Sequence, residues 1–154
     1  MKNQPKGFDT PRGRAIMKRL SQLNVKLYQL TRGRVGGTLP TPSGRVPVGL
    51  LHHVGRKSGR RLITPLVTLV DGERFIVVAS QGGLPENPQW YRNLVARPEV
   101  EFDFRGRCTP VTARTATIDE KAVLWPRLVE LYADYASYQR WTDRDIPVVI
   151  LQPR

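Results

Sequence analysis

The sequence predicts an α+β fold, a small antiparallel β-barrel of about six strands with helices packed on its outside. Three observations carry that expectation. β-branched and aromatic runs recur at residues 48–54, 62–70, 74–80, 100–104, 107–117 and 146–151. Asp71-Gly72 joins the second run to the third, a strong hairpin signal, and Arg105-Gly106 joins the fourth to the fifth. Helical patterns stand at the start, the middle and near the end of the chain. A doubly wound parallel sheet would instead alternate a helix with every strand.

Taken in order, residues 1–13 read as a flexible N-terminal segment and 14–154 as one domain, a length sufficient to bury a core. Residues 14–32 form an amphipathic helix: Ile16, Leu20, Leu23, Leu27 and Leu30 make a single apolar stripe. Lys18, Arg19, Gln22, Lys26 and Gln29 fall off the stripe, and Gly33 suits its end. Such a stripe most often packs on its own domain, which is the expectation; a basic amphipathic helix also suits an anionic membrane surface. Residues 33–47, rich in Gly and Pro, read as a loop. Asn87 is expected to cap a short helix whose first residue is Pro88. Thr117 to Glu120 is a capping-box pattern opening a helix toward Tyr132, which Pro126 should kink.

Charge is distributed unevenly. The net charge is +12, yet residues 1–61 hold 14 Lys/Arg against one acid, Asp9, while 62–154 hold 11 against 12. That asymmetry points to an anionic partner: nucleic acid, a membrane surface or a small polyanion. Nucleic acid is disfavoured, because the aromatics lie mainly in the C-terminal half and are not interleaved with the cations. No apolar run is long enough to span a bilayer and no secretory pattern is visible, so a cytoplasmic protein is expected, with contact at the inner membrane face as an option. A single cysteine, Cys108, excludes an intrachain disulfide. His52 and His53 are adjacent on a strand and point to opposite faces, so no metal site is expected. Neither Ser58 nor Ser80 sits in a G-x-S-x-G context.

Three stretches carry chemistry. In 55–61, GRKSGRR, two glycines allow a tight turn that exposes amide donors, with Arg56, Lys57, Arg60 and Arg61 supplying charge and Ser58 a hydroxyl. That combination suits a phosphate or carboxylate. In 79–94, ASQGGLPENPQWYRNL, the chain leaves a strand through Ser80, passes two glycines and enters a helix beside Trp90 and Tyr91. A ligand can approach such a backbone closely. In 132–141, YADYASYQRW, tyrosines recur at 132, 135 and 138. Tyrosine offers a flat face and a hydroxyl together, which suits a planar substrate.

These motifs, together with LITPL at 62–66 and DIPVVIL at 145–151, resemble the deazaflavin-dependent nitroreductase family. The likeness runs from about Val48 to the C-terminus and more loosely through the basic helix. It implies a split β-barrel, related to FMN-binding oxidoreductases, and coenzyme F420, a deazaflavin with a phosphate and an oligoglutamate tail. By resemblance Arg56, Lys57, Ser58 and Gly59, extended by Arg60 and Arg61 and preceded by His53 and Val54, hold the anionic end. Thr64, Pro65, Leu66 and Val67 would lie along the ring. Ser80, Gln81, Gly82 and Gly83 would border it, and Asn87, Pro88, Trp90, Tyr91 and Asn93 would close the groove. Ser80, Tyr132, Tyr135 and Tyr138 would face the substrate as hydrogen-bond or proton donors. Gln81 stands where many relatives carry lysine, and His52 and His53 where small hydroxyl residues are frequent. The implied activity is hydride transfer from reduced F420 to a quinone, enone or nitroaromatic, by a monomer or homodimer. Alternatives are an FMN- or haem-binding split barrel, or an F420 carrier without catalysis.

Overall fold

The computed structural model describes residues 10–154; of the segment 1–13, residues 1–9 lie outside the described residues. Helix α1 (Pro11–Thr31) starts earlier than its apolar pattern implies. The Thr10 hydroxyl caps it, accepting the Gly13 N–H at 3.0 Å, and Pro11 takes the first position, where an N–H is not needed.

Eight strands follow among the described residues: β1 (Thr38–Thr41), β2 (Gly44–Val54), β3 (Arg61–Val67), β4 (Leu69–Asp71), β5 (Arg74–Val78), β6 (Glu99–Phe104), β7 (Arg107–Thr115) and β8 (Val148–Pro153). Three helices interrupt them: α2 (Gln89–Ala96), α3 (Ile118–Leu131) and α4 (Asp134–Trp141). All pairings are antiparallel, in the order β1-β2-β6-β7-β8-β5-β4. Among the described residues strand β3 pairs with β2 alone, so its second edge meets no described strand and the curled sheet does not close there. This is the α+β half-barrel the sequence predicts.

Several boundaries are corrected. Residues 33–47 are not all loop: β1 and the start of β2 form a hairpin, with Pro40 tolerated because β1 is an edge strand. The run 62–70 breaks at Thr68, which is fully buried. Its hydroxyl accepts the Gly49 N–H at 3.2 Å and donates to the Leu66 carbonyl at 2.9 Å, so the side chain replaces a ladder bond. Asn87 does not cap α2; Pro88 is the extended residue before Gln89, and the Asn87 side chain is engaged elsewhere. The helix from Thr117 forms its capping box, runs through Pro126 and ends at Leu131 with Tyr132 as its cap, as expected, while Tyr135 and Tyr138 lie on a separate α4.

Packing explains the apolar density of the central strands. Leu51, Val77, Val149 and Leu151 face the barrel interior with Phe102, Trp90 and Leu94. Alternate residues of the same strands, Ile76, Val78, Val148 and Ile150, turn outward and are covered by Leu124, Leu128 and Tyr135. A strand buried on both faces reads as a continuous apolar run. Each such aliphatic side chain contributes about 1.5–3 kcal/mol on burial. Gly49 is required where it stands, since a Cβ there would lie 2.3 Å from Cζ of Phe102.

Helix α1 overturns the packing expectation. It docks through Val25 and Tyr28 against Leu50 and Ile63. The predicted stripe faces the other way: Ile16 is 58%, Leu20 57%, Leu23 56% and Leu30 82% exposed. The anchor is Tyr28, fully buried, whose hydroxyl donates to Asp103 Oδ1 at 3.0 Å and accepts the Gly106 N–H at 3.3 Å. Burial pushes its phenol up to about 12, so it remains a donor. Tyr28→Phe should therefore lower stability by about 1–2 kcal/mol. Urea unfolding of the purified variant measures this, and an unchanged midpoint would show that the hydroxyl contributes nothing.

Candidate functional site

The turn between β2 and β3 is closed by its own backbone. Gly55 N–H donates to Arg60 O at 2.9 Å, and Gly59 N–H to Gly55 O at 2.8 Å with Gly59 at φ +67. The Ser58 hydroxyl is used locally, accepting the Arg60 N–H at 3.3 Å. Lys57, Arg60 and Arg61 are exposed and form no ion pair with any described acid. Three cations on one short turn, without counter-charges among the described residues, make an edge of concentrated positive charge that suits an anion.

Asn93 of α2 ties this turn to the rest of the site. Its carbonyl oxygen accepts both the Arg56 N–H at 3.1 Å and Arg56 Nη1 at 3.3 Å. Gln89 accepts Arg56 Nη1 at 2.7 Å as well. Because its oxygen is occupied by donors, the Asn93 amide nitrogen must donate to His53 Nδ1, at 3.1 Å. That fixes the tautomer: Nε2 of His53 carries the proton and donates to the Thr64 hydroxyl at 2.9 Å. One chain of bonds thus runs from the basic turn through α2 and β2 to β3. Val54 is half-buried at the head of the turn, and Thr64, Pro65, Leu66 and Val67 lie half-buried along the strand with the open edge. His52 points to the opposite face, and its Nε2 is a buried nitrogen without a partner among the described residues.

The segment after β5 is held from behind. Ser80 is buried, Gln81 and Gly82 are exposed, and the three residues Gln81–Gly83 form a single 3-10 turn. A Cβ on Gly83 would lie 2.7 Å from the Tyr138 carbonyl oxygen, so this glycine lets α4 pack directly on the turn. Arg144, which the sequence reading missed, reaches back from the end of the third motif. It donates to Asn87 Oδ1 at 2.7 Å, to Ser80 O at 2.7 Å and to Leu84 O at 2.9 Å. Lying between Asp143 and Asp145, it carried no signal beyond a solvated charge run.

Other predicted residues take different places. Trp90 is 7% exposed and belongs to the interior core, with buried Pro88 beside it. Tyr91 turns toward β7, bonding the Thr115 hydroxyl at 2.9 Å and lining a cleft of about 200 Å³ with Leu94 and Ala113. Tyr135, 4% exposed, is a core residue packed edge-on to Tyr132 at 4.9 Å. Tyr132 and Tyr138 are half-buried, with their hydroxyls 3.2 Å apart. Burial pushes both phenols up, so they stay protonated and act as donors, not as bases. A wider cleft of about 390 Å³ lies between the β1–β2 hairpin and the end of α3. Of its arginines, Arg127 pairs with Asp71, while Arg45 donates to the Thr38 hydroxyl.

Residues 20–153 match the family model described as F420H(2)-dependent quinone reductase. A Mycobacterium tuberculosis protein provisionally named F420H(2)-dependent quinone reductase is 50% identical over 109 residues, 71% of this chain and 92% of its own length. The solved structure of an F420-H2 dependent reductase is 38% identical with a TM-score of 0.64, covering 69% of this chain and 94% of that one. Another structure, described as a domain-swapped dimer, is 31% identical with a TM-score of 0.67, over 89% and 99% of the two chains.

His53 makes stability pH-dependent. Burial, with His52 beside it, lowers its pKa to about 4. The unfolded chain protonates near the usual 6.5, so the contribution of neutral His53 is complete above that pH. It is lost as pH falls from 6.5 toward 4, by up to about 3 kcal/mol. His53→Gln should flatten this slope in urea midpoints taken between pH 7 and pH 4; an equally steep slope in the variant would assign the effect to other groups.

Proposed function

Because the chain belongs to the F420H(2)-dependent quinone reductase family, we propose that the site just described binds reduced F420 at the basic turn and passes its hydride to a quinone. The enzyme is an F420-dependent oxidoreductase, and its cofactor is coenzyme F420. The observation that carries the placement is the joining of three distant motifs. Asn93 links the cationic turn to α2, and Arg144 links the Ser80 segment to the C-terminal stretch.

The residues present fit a polyanionic, flat cofactor. Lys57, Arg60 and Arg61 lack acidic partners among the described residues and would hold the phosphate and tail. The unpaired edge of β3 at Thr64–Val67 offers main-chain groups to the ring. When bound, the reduced cofactor supplies a hydride, two electrons and one proton. The chain's own groups orient the acceptor and feed the second proton. Tyr132 and Tyr138, protonated and half-buried, can donate to a quinone oxygen, as can the Ser80 hydroxyl. Tyr135 supports these rings from the core rather than meeting substrate. Enones and nitroaromatics share the flat, hydride-accepting character of quinones, and the proposal extends to them.

A membrane surface completes the reading. The stripe Ile16, Leu20, Leu23, Leu27 and Leu30 is exposed, and α1 contains Arg12, Arg14, Lys18, Arg19 and Lys26 but no acid. Arg12, Arg19 and Lys26 recur at helical spacing along one border of the stripe. A second copy of α1 would set cations against cations, whereas anionic lipid headgroups complement them. A quinone dissolved in the bilayer would then be reached from the cytoplasmic side.

Titration with F420 and with FMN, followed by tryptophan fluorescence, tests the cofactor. F420 alone should bind, and the pair Lys57→Ala with Arg61→Ala should weaken it by about tenfold. FMN binding without an F420 response would sink the reading. Binding of F420 without quinone-dependent oxidation of its reduced form would make the protein a carrier. For α1, co-sedimentation with vesicles of phosphatidylglycerol should exceed that with phosphatidylcholine, and Leu20→Gln with Leu27→Gln should abolish it. Equal recovery on both lipids, or dimerisation through the same residues, rejects the membrane.

A further inference from the structure

The side chain of Arg144 is surrounded by neutral acceptors. Its Nη2 donates to Ser80 O at 2.7 Å and Ala79 O at 3.2 Å, Nη1 to Ala79 O at 3.2 Å and Asn87 Oδ1 at 2.7 Å, and Nε to Leu84 O at 2.9 Å. Among the described residues it forms no ion pair. A guanidinium does not deprotonate in a protein, so a full positive charge is held, unneutralised, behind residues 79–87.

Two of those carbonyls belong to peptide units whose opposite ends are free. The Ala79 carbonyl shares its peptide with the Ser80 N–H, and the Ser80 carbonyl with the Gln81 N–H. Neither N–H reaches an acceptor among the described residues. Ser80 is right-handed at φ −76, ψ −38, while Gln81 is left-handed at φ +46. That succession turns consecutive N–H groups toward one concave side. A non-glycine residue at positive φ is uncommon, and here the Arg144 bonds to the two preceding carbonyls oppose its relaxation.

We propose that the Ser80 and Gln81 amides, polarised and held in place by Arg144, stabilise the negative oxygen that a quinone acquires on accepting hydride. The inference rests on the reading that Ser80 borders the reaction site. In the step, the reduced cofactor loses a hydride and is oxidised, and the quinone gains it to become a hydroquinone monoanion. One further proton on that oxygen, from a tyrosine phenol or water, completes the hydroquinone. Donors fixed before the charge develops need no reorganisation, which is why such a site accelerates the step more than it tightens substrate binding. Arg144 is a positioning residue: it acts through the amides.

The test uses Arg144→Lys, which keeps the charge, and Arg144→Gln, which keeps a donor but loses the charge. Thermal melts first establish that both fold. Amide hydrogen exchange at Gly83 and Leu84, whose N–H groups bond the Ser80 and Gln81 carbonyls, should quicken in both variants when read without cofactor; unchanged exchange overturns the positioning role. With oxidised F420 bound, anionic 2-hydroxy-1,4-naphthoquinone and neutral 2-methyl-1,4-naphthoquinone are compared by titration. The wild type should favour the anion. Arg144→Gln should lose about tenfold of that preference and about tenfold in kcat, with KM for the neutral quinone and F420 affinity within about twofold. Arg144→Lys should recover most of both. Equal losses in the two variants, a change confined to KM, or no preference in the wild type overturns the proposal. A wild-type protein that binds no F420 removes the functional reading itself, and the assignment to hydride transfer falls with it.

Discussion

The site depends on a single buried amide. Asn93 is 3% exposed, and it satisfies His53, the Arg56 backbone and the Arg56 side chain together. A buried polar group left without partners costs about 1–3 kcal/mol, so these bonds hold or fail as a unit. Their effect is to set the cationic turn at a fixed distance from α2 and from the open edge of β3. Lys57, Arg60 and Arg61 gain their use from that placement; on a free loop they would be ordinary surface charge. His53, read from sequence as a cofactor contact, is the internal link of this chain.

Fold class was legible because it rests on local signals. The hairpin signalled by Asp71-Gly72 forms, with Gly72 and Glu73 as its turn residues because Asp71 pairs with Arg74, and Arg105-Gly106 makes its own with positive φ at both turn residues. The capping box at Thr117 forms as its spacing implies. What failed was non-local. Thr68 breaks a strand because its hydroxyl meets Gly49, nineteen residues away in the chain, and no window of sequence shows that. Asn87 looks like a helix cap, but Arg144 offers it a charged donor. Trp90 and Tyr135 illustrate a different ambiguity: an aromatic in a functional motif reads the same whether it touches ligand or core.

The helix α1 was misread for a physical reason. A 3.6-residue stripe reveals that one face is apolar but not what that face meets. Two residues off the stripe, Val25 and Tyr28, carry the docking, and they are the ones a moment-based reading passes over. Of the 14 cations in the first 61 residues, four sit on the β2–β3 turn and five on α1, where they border an exposed apolar face.

The Tyr28 anchor has a consequence for how that face can act. A free amphipathic peptide must order its backbone as it adsorbs, at roughly 1 kcal/mol or more per residue of conformational entropy. Here the helix is formed and bolted to the β6–β7 hairpin beforehand. A surface that engages the stripe therefore meets a rigid plane. The barrel must follow at one fixed tilt, set by Val25 and by a tyrosine anchored on the far side of the helix.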